Sequence, residues 1–398
     1  MKKYLLAVAL FLFAIRGFAE RPYVIVLSLD GFRWDYNQII GTPNLDRIAA
    51  RGVRSKGLQP VFPTGTFPNH FSMATGLFPD NHGLIANTFF NVELQKEFRI
   101  SDRDAVRNSA FYSGEPIWVT ARTQGLQTAS FFWVGTEAPI GGYQPHIWKP
   151  FDSSVTFSQR IDSVISWLER PKDKRPQLVM FYYEEPDFTA HGYHPSESEE
   201  VHRMVRYCDS LVGVLYARLQ ALPIAENIHL IIVSDHGMTP VDISRVVFLQ
   251  NYLCDSWIKY SNFSSPMALM TIHPEKLDSA ISALRDVEHI SAWRPSEIPE
   301  RFNFGTNPNI GNLVVLADSA WSISQKPLET WRLGDHGFDN ENRDMFGIFY
   351  AYGPRFARNR VVPEFINLQL YNIIAYLLNL KPAPNDVRLE DVYFLFER

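Results

Sequence analysis

The chain has 398 residues, of which 46% are hydrophobic and 20% charged, and its formal net charge is −5 at pH 7. This balance excludes a disordered or fibrous protein, and the length suffices for one large α/β domain or two smaller ones. A slightly acidic chain has no electrostatic surface for wrapping a nucleic-acid duplex. Small anionic substrates remain compatible with it if bound metal ions supply positive charge locally.

The N-terminal segment has the three parts of a secretory signal. Lys2 and Lys3 precede the apolar residues 4–15, and Gly17-Phe18-Ala19 supplies the small residues that a signal peptidase recognises. Because the apolar stretch is short for a membrane span, we predict a cleaved signal peptide over residues 1–19 rather than an uncleaved anchor. A secreted or periplasmic protein without a membrane span in its mature form follows. In that compartment Cys208 and Cys254 could form a disulfide, although core thiols fit equally well.

Three apolar runs predict buried strands that lead into acidic residues. Residues 23–29 precede Asp30, residues 177–183 precede Asp187, and residues 228–234 precede Asp235. Ligands in open α/β sheets bind at the carboxyl ends of the strands, so these acids should converge in the folded chain.

Helix-like segments alternate with the strands. They cover residues 42–51, 116–124, 158–169 and 197–222. This alternation predicts an α/β fold with a doubly wound, mostly parallel sheet and helices on both faces. Residues from about 241 to 325, with a helix candidate and a strand of their own, are interpreted as a small inserted α+β subdomain. We expect one domain over residues 20–398, and a monomer.

Thr66 is the strongest candidate nucleophile. It lies in Phe62-Pro63-Thr64-Gly65-Thr66-Phe67-Pro68-Asn69-His70. A threonine hydroxyl is a poor nucleophile near neutral pH, but a bound dication lowers the pKa of such an oxygen. The alternative role is a helix N-cap, since the helix-compatible residues 69–75 follow. Both roles can hold together, because a helix N-terminus favours the negative charge of a phosphate.

Asp and His residues of the kind that bind metals lie on both sides of this threonine. Asp187 and His191 are four residues apart and would share one face of a helical turn. That spacing is weak evidence alone, but Asp30-Gly31, Asp235-His236-Gly237 and Gly334-Asp335-His336-Gly337 also follow predicted strands or lie in glycine-flanked turns. Three His and three Asp favour Zn²⁺ over Mg²⁺, which would be expected to use oxygen ligands alone.

In this order the motifs resemble the nucleotide pyrophosphatase/phosphodiesterase family of the alkaline phosphatase superfamily, in a bacterial-type secreted form. The matching stretches are Leu29-Asp30-Gly31-Phe32-Arg33, Phe62-Pro63-Thr64, Thr66-Phe67-Pro68-Asn69-His70, Thr75-Gly76-Leu77-Phe78-Pro79, His82-Gly83, Gly114-Glu115-Pro116-Ile117-Trp118, Glu185-Pro186-Asp187, Ser234-Asp235-His236-Gly237-Met238, His336-Gly337 and Asp339-Asn340. The match runs from about Tyr23 to the C-terminal end. It implies an alkaline phosphatase-like fold and a phosphodiesterase catalytic domain over residues 20–398.

The resemblance implies two zinc ions and a covalent mechanism. The implied ligands are Asp187, His191 and His336 for the first zinc, and Asp30, Asp235, His236 and the Thr66 oxygen for the second. Thr66 would attack phosphorus and form a nucleotidyl-threonine intermediate, which water would hydrolyse to a nucleoside 5′-monophosphate. Asn87 matches the family's asparagine that, with the Thr66 N–H, donates to a non-bridging phosphate oxygen. Without the family match, Asn87 could be a turn residue.

The resemblance also implies contacts with a small-molecule nucleotide substrate. Phe67, Trp133, Glu137 and Phe151 fall where nucleotide-handling relatives contact the base and sugar, although core packing is an equal alternative for Trp133 and Phe151. Gly65 stands where several nucleotide-cleaving relatives carry lysine, which leaves the preferred nucleotide open. A phosphodiesterase acting on choline or lipid phosphate headgroups is the alternative enzyme, and an inactive secreted binding protein is the alternative outside enzymes.

Two further interpretations concern groups near the nucleophile. His70 and His82 are expected to support the ligands or pack the helix rather than bind metal, since the two ligand sets are already complete. Cleavage of phosphomonoesters is disfavoured, because a terminal phosphate dianion usually needs an additional cation and no arginine is evident beside Thr66 in the sequence.

Overall fold

The computed structural model describes residues 22–326 and 331–397, so the predicted signal peptide over residues 1–19 lies outside the described residues. Its largest sheet has seven strands. In spatial order these are Arg360–Val362, Val53–Ser55, Phe349–Tyr352, Ile228–Val233, Tyr23–Leu29, Leu178–Tyr183 and Thr128–Phe131. Only Phe349–Tyr352 runs antiparallel to its neighbours within this sheet. The predicted mostly parallel sheet is therefore confirmed.

Helices cover both faces of this sheet. The α-helices in the described residues are Tyr36–Ile39, Pro43–Arg51, Thr66–Thr75, Pro79–His82, Arg103–Arg107, Ile117–Thr123, Phe157–Leu168, Asp187–Gly192, Glu199–Gln220, Leu277–Leu284 and Gln369–Leu377. The four helix-like segments of the sequence each correspond to one of these helices, with ends that differ by at most two residues.

The strand Tyr23–Leu29 shows why both faces are covered. Side chains alternate between the faces of a strand. Val24 and Val26 pack with helices Thr66–Thr75 and Gln369–Leu377. Ile25, Leu27 and Leu29 belong to the opposite core, which contains the long helix Glu199–Gln220. A strand that is buried on both faces must read as a continuous apolar run, which is what the sequence displays.

A second, four-stranded antiparallel sheet lies in the segment that was interpreted as an insertion. In spatial order its strands are Ile258–Ser264, Met267–Ile272, Leu313–Ala317 and Ile290–Trp293. One face packs on the helix Leu277–Leu284 and the other contributes to the main core through Leu269 and Leu316. The boundaries of about 241 and 325 stay a prediction.

Short strand pairs complete the framework. They are Thr239–Pro240 with Gly334–Asp335, Val246–Phe248 with Ser322–Ser324, Leu58–Gln59 with Phe365–Ile366, and Thr88–Asn91 with Lys96–Arg99. The first pair is extended by a hydrogen bond from Val241 N to Leu333 O of 3.0 Å. The segment that contains the small sheet therefore begins and ends at neighbouring positions in the fold.

The two cysteines are separate. Cys208 is buried in the helix Glu199–Gln220, whereas Cys254 is exposed, and neither thiol is in a disulfide. Within residues 22–326 and 331–397, no helix combines the length and the hydropathy needed to cross a bilayer.

Candidate active site

The predicted convergence of acids occurs at the carboxyl ends of three adjacent central strands. Asp30 directly follows Tyr23–Leu29, Asp187 begins a short helix after Leu178–Tyr183, and Asp235 follows Ile228–Val233. Gly31 between the first two has a φ of 63°, and a Cβ on it would lie 2.9 Å from the Cβ of Asp187. Glycine is therefore needed here for both backbone conformation and space.

Asp30, Asp235 and His236 form one buried group of ligand-type atoms, called here the second triad. His236 Nε2 lies 3.4 Å from Asp30 Oδ1 and 3.2 Å from Asp235 Oδ2. The other oxygen of Asp30 accepts a hydrogen bond of 2.6 Å from the hydroxyl of Tyr182. His70 Nδ1 lies 3.3 Å from Asp235 Oδ2, so His70 supports a triad member.

Asp187, His191 and His336 form the first triad, which is partly exposed. The helix Asp187–Gly192 places two of them on one face, as predicted, with His191 Nε2 at 3.3 Å from Asp187 Oδ2. His336 follows the strand Gly334–Asp335, and its Nε2 is 3.7 Å from Asp187 Oδ1. In each triad the candidate ligand atoms lie within 4.8 Å of one another.

The two triads are neighbours. The imidazole rings of His236 and His336 stack with centroids 3.7 Å apart and planes inclined by 17°. The structure therefore brings together all six Asp and His residues that the sequence analysis assigned to metals, from chain positions between 30 and 336.

The pKa values of Asp30 and Asp187 shift in opposite directions, because only Asp187 lies beside histidines that outweigh its burial. Burial, with repulsion from Asp235 and Asp187, raises the pKa of Asp30 well above its usual value. Burial would also raise the pKa of Asp187, but His191 and His336 outweigh it and hold that pKa well below its usual value. Burial and the adjacent His236 lower the pKa of His336 far below its usual value. The site thus holds buried carboxylates that need positive charge, and an imidazole, that of His336, that resists supplying it.

The hydrogen bonds of the three triad histidines fit metal binding. His191 Nδ1 lies 2.9 Å from Gly334 O, His236 Nδ1 2.8 Å from Gly237 O, and His336 Nδ1 2.9 Å from Thr64 O. Because a carbonyl oxygen only accepts, each Nδ1 carries the proton and each Nε2 presents a lone pair toward the carboxylates. Asp30 Oδ1, Asp187 Oδ1 and Asp235 Oδ2 are buried without a hydrogen bond. Nitrogen and carboxylate donors of this kind suit two borderline cations such as Zn²⁺.

Thr66 lies beside the second triad, at the first position of the helix Thr66–Thr75. Its Oγ1 is 3.3 Å from His236 Nε2. The expectation that Thr66 itself is the N-cap is wrong: Gly65 is the cap, with an extended backbone of φ −116° and ψ 158° and no capping side chain. The hydroxyl of Thr66 is therefore not used for capping. Of the first N–H groups of this helix, that of Phe67 donates to Asn87 and Pro68 has none, so among the described residues the Thr66 N–H is the one left for a ligand.

Asn87 is fixed next to this helix terminus. Its Oδ1 accepts a hydrogen bond of 3.0 Å from Phe67 N. Among the described residues no acceptor contacts its Nδ2, so the amide group can donate to a ligand in front of Thr66. Gly65 faces Asn87, whose Oδ1 would be 3.8 Å from a Cβ at that position.

A cleft of about 420 Å³ opens over the triads and Thr66. Phe67, Phe132 and Phe151 line its apolar end. Phe67 packs against Phe98 with centroids 5.9 Å apart, and Phe151 packs edge-on against Phe132 at 5.2 Å. Phe151 is 40% exposed, so part of its ring is available to a ligand.

Trp133 and Glu137 also line the cleft, but both are engaged by the protein. Trp133 is 1% exposed and its Nε1 donates a hydrogen bond of 3.2 Å to His70 O. Glu137 forms ion pairs with Arg103 and Arg107 and accepts a hydrogen bond of 3.0 Å from Phe151 N. Their most direct effect is therefore to hold the cleft wall in place. A direct substrate contact by either residue stays a prediction.

Three cleft residues have no signal in the sequence. Phe132 forms part of the apolar end, with a φ of 70° that no motif announces. Arg103 and Arg332 both line the cleft, although no cation was evident beside Thr66 in the sequence. Arg332 Nη1 is 3.0 Å from Asp335 Oδ1 and 3.3 Å from His191 Nδ1. Long charged side chains in segments without periodicity become visible only when the fold brings them to a common space.

Similarity to known proteins identifies the family of this chain. The family model described as type I phosphodiesterase / nucleotide pyrophosphatase matches residues 24–339. The chain belongs to this family. A venom phosphodiesterase from Crotalus durissus collilineatus is 35% identical over 93% of this chain and 46% of its own length. Human ectonucleotide pyrophosphatase/phosphodiesterase family member 1 is 34% identical over 92% of this chain and 41% of its own length. The chain thus spans about half the length of the curated relatives it matches.

Solved structures of the phosphodiesterase family have the same fold. Murine ectonucleotide pyrophosphatase/phosphodiesterase 5, in an inactive threonine-to-alanine variant in complex with AMP, superposes with a TM-score of 0.90 and 32% identity. The match covers 94% of this chain and 100% of that one. Human ectonucleotide pyrophosphatase/phosphodiesterase 5 gives a TM-score of 0.90 at 31% identity. This likeness confirms the predicted alkaline phosphatase-like α/β fold.

Proposed function

We propose that the chain hydrolyses phosphodiester and pyrophosphate bonds of nucleotides, with two zinc ions in the triads, and releases nucleoside 5′-monophosphates. The observation that carries this proposal is the Thr66 hydroxyl, which lies 3.3 Å from His236 at a helix N-terminus between the two triads and the cleft. The AMP complex of the murine relative, in which a threonine is replaced by alanine, supports both a nucleotide ligand and a threonine nucleophile. The protein acts as a monomer, secreted or periplasmic after cleavage of the signal peptide.

Two half-reactions follow from the positions of the chain's own groups. The Thr66 hydroxyl loses its proton to solvent and Oγ attacks phosphorus in line with the scissile bond. The bridging P–O bond breaks, its electron pair departs with the alkoxide or phosphate leaving group, and a nucleotidyl-threonine ester remains. The Thr66 N–H and Asn87 Nδ2 orient a non-bridging phosphate oxygen through hydrogen bonds. Water then attacks the ester from the side that the leaving group vacated, and Thr66 recovers its hydroxyl. The cations, when bound, lower the pKa of the attacking oxygen and neutralise charge on the phosphate.

The test is to measure the products of ATP and of the p-nitrophenyl ester of thymidine 5′-monophosphate. We expect AMP with pyrophosphate from the first and thymidine 5′-monophosphate from the second, with p-nitrophenyl phosphate a much poorer substrate. Higher activity on a phosphocholine ester than on either nucleotide would replace the nucleotide by the choline or lipid headgroup alternative. Absence of hydrolysis in the zinc-loaded protein would favour the inactive binding protein.

Asn87→Asp isolates the amide donor. Aspartate keeps an oxygen in the position that accepts from Phe67 N, but it loses the Nδ2 donor and places a negative charge toward the phosphate. We expect kcat to fall by roughly a hundredfold or more, the usual cost of one such donor, with unchanged thermal unfolding. Steady-state kinetics with the thymidine ester and a melting curve measure the two effects. A variant with near wild-type kcat would remove Asn87 from the mechanism.

The aromatic residues of the cleft should separate into two groups. Phe151 is partly exposed, so its ring can stack on a base. Phe151→Ala should therefore lower kcat/KM for nucleotide substrates by a factor that corresponds to about 1–3 kcal/mol, the range for stacking on a base. The same variant should lower kcat/KM for bis(p-nitrophenyl) phosphate much less. Trp133 is buried and bonded to His70 O, so Trp133→Ala should lower the melting temperature and both activities together. Equal losses on both substrates for Phe151→Ala would contradict the stacking role.

A further inference from the structure

Thr64 connects the loop before the nucleophile to the segment that contains His336. Its side chain is buried, and its Oγ1 donates a hydrogen bond of 2.9 Å to Phe338 O and accepts one of 2.9 Å from Gly337 N. Its carbonyl oxygen accepts a hydrogen bond of 2.9 Å from His336 Nδ1. One residue therefore holds three consecutive residues that lie 272 to 274 positions further along the chain.

The segment of residues 336–338 needs a support of this kind. It follows the two-residue strand Gly334–Asp335 and belongs to no helix or strand in the described part of the chain. Gly337 has a φ of 108°, and a Cβ at this position would lie 2.9 Å from Pro266 Cδ. The backbone therefore turns in a conformation that other residues rarely adopt. Two of its polar groups, Gly337 N and Phe338 O, find their partner in the Thr64 hydroxyl rather than in a sheet.

The loop that carries Thr64 is itself held by the buried side chain of Asn69. Asn69 Nδ2 donates hydrogen bonds of 3.0 Å to Pro63 O and 2.9 Å to Gly65 O, the carbonyl oxygens on either side of Thr64. Because Asn69 belongs to the helix that Thr66 begins, these bonds fix the loop relative to the nucleophile. Thr64 thus has a defined position with respect to Thr66.

The two parts of the candidate active site therefore meet at one hydroxyl group. Thr66 lies against the second triad, whereas His336 belongs to the first. We propose that Thr64 is a positioning residue, whose hydroxyl group holds His336 at a fixed distance from Thr66. The proposal rests on the proposed function. Thr64 is fully buried and does not line the cleft, so it acts through the backbone of Gly337 and Phe338 rather than on a substrate.

The kinetic test separates the hydroxyl from the rest of the side chain. Thr64→Val removes the hydroxyl at nearly constant volume, whereas Thr64→Ser keeps it. Loss of a group that supports a metal ligand usually costs about 10- to 100-fold in activity or metal affinity, so kcat for the thymidine p-nitrophenyl ester should fall by that factor in Thr64→Val. KM should stay within about twofold of wild type, because the cleft residues are unchanged. Thr64→Ser should keep most of the wild-type kcat.

Thr75→Val is the matched control. Thr75 is also buried, and its Oγ1 donates to Phe71 O at 2.8 Å and accepts from Leu77 N at 3.3 Å, so it makes the same two kinds of hydrogen bond outside the triads and the cleft. Both valine variants should have lower melting temperatures, since each loses buried hydrogen bonds. Only Thr64→Val should lower kcat. An equal fall of kcat in the two valine variants, or in Thr64→Ser and Thr64→Val, would overturn the proposal.

Release of zinc to a chelator tests the position of His336 without any turnover. In Thr64→Val, one of the two zinc ions per chain should be released at a chelator concentration about 10- to 100-fold lower than in wild type. The other ion, and both ions of Thr75→Val, should be released as in wild type. Unchanged release of both ions from Thr64→Val would contradict the positioning role, even in a chain that cleaves nucleotides.

The two measurements also separate this proposal from the proposed function. If wild type binds zinc but cleaves no phosphodiester, the proposed function fails, and the release of zinc alone decides the role of Thr64. If Thr64→Val does not fold, Thr64→Ala removes the hydroxyl without placing a second methyl group against Phe338 O and undergoes the same comparison with Thr64→Ser. Wild-type kcat and zinc release in the folded alanine variant would overturn the proposal.

Discussion

Thr66→Ala will lower turnover of nucleotide esters by roughly a thousandfold or more while leaving the fold and the metal content unchanged. The reason is that no other hydroxyl of the described residues lies both at the helix N-terminus and against His236, and loss of a nucleophile usually removes most of the catalytic rate. The cap of this helix is Gly65, so the substitution does not remove a capping hydroxyl. The melting temperature should therefore stay close to that of wild type, and so should the metal content, which elemental analysis measures.

Two controls sharpen the nucleophile prediction. Thr66→Ser keeps the hydroxyl and should retain a measurable fraction of the activity. In wild type, acid quenching during turnover followed by mass spectrometry should find a nucleotidyl group on the peptide that contains Thr66, and none in Thr66→Ala. An alanine variant as active as wild type would eliminate the covalent route, whatever the metal content.

Removal of the metals should have the second large effect. A chelator is expected to abolish hydrolysis, and zinc should restore it, because each of the three triad carboxylates has a buried oxygen without a hydrogen bond and the charge of Asp30 is disfavoured by burial and by its neighbouring acids. The metals bind only the folded chain, so their removal should also lower its stability. A ligand at a thousand times its Kd contributes about 4 kcal/mol of unfolding free energy, which a calorimetric melting curve detects readily.

His336→Ala tests the assignment of the first triad. His336 supplies one of three ligands there and stacks on His236, so the variant should bind about half the metal of wild type and lose most of its activity. His289→Ala is the matched control, since His289 lies outside both triads and stacks on Trp321. Elemental analysis, expressed as metal ions per chain, compares the two variants with wild type. Two metals retained in His336→Ala, or full activity in metal-free wild type, would contradict the two-triad assignment.

Sequence reasoning predicted the acids of the site better than the histidine that completes it. Asp30, Asp187 and Asp235 follow apolar runs, and the geometry of parallel sheets brings the ends of such strands together. His336 follows a two-residue strand after the small sheet, where no periodicity predicts its position. Only the resemblance to the phosphodiesterase family linked it to Asp187 and His191. The residues around His336 show no pattern that by itself predicts its position beside Asp187 and His191.

The details that the sequence left open or predicted wrongly depend on the packing of the folded chain. Thr66 and Gly65 are both acceptable as caps, and the backbone angles that decide between them depend on the packing of the following helix. Trp133 and Phe151 are both aromatic, yet the ring of Trp133 is buried and that of Phe151 is 40% exposed. Arg103 begins the helix Arg103–Arg107 and Arg332 lies in a loop far along the chain, so their common position in the cleft depends on long-range contacts. Contacts of this kind are fixed by the whole fold rather than by local sequence.

The strand pair Thr239–Pro240 with Gly334–Asp335 acts as the stem of a large loop that contains the small sheet. Because both ends of the loop are clamped beside His236 and His336, its length and sequence can change without moving either ring. Yet Ser264 and Ser265 come from this loop and line the cleft over the triads. The fold therefore separates the residues of the two triads, whose positions must stay constant, from the loop, whose sequence can vary. Exchange of the loop between relatives offers a way to alter substrate preference while the catalytic residues stay unchanged.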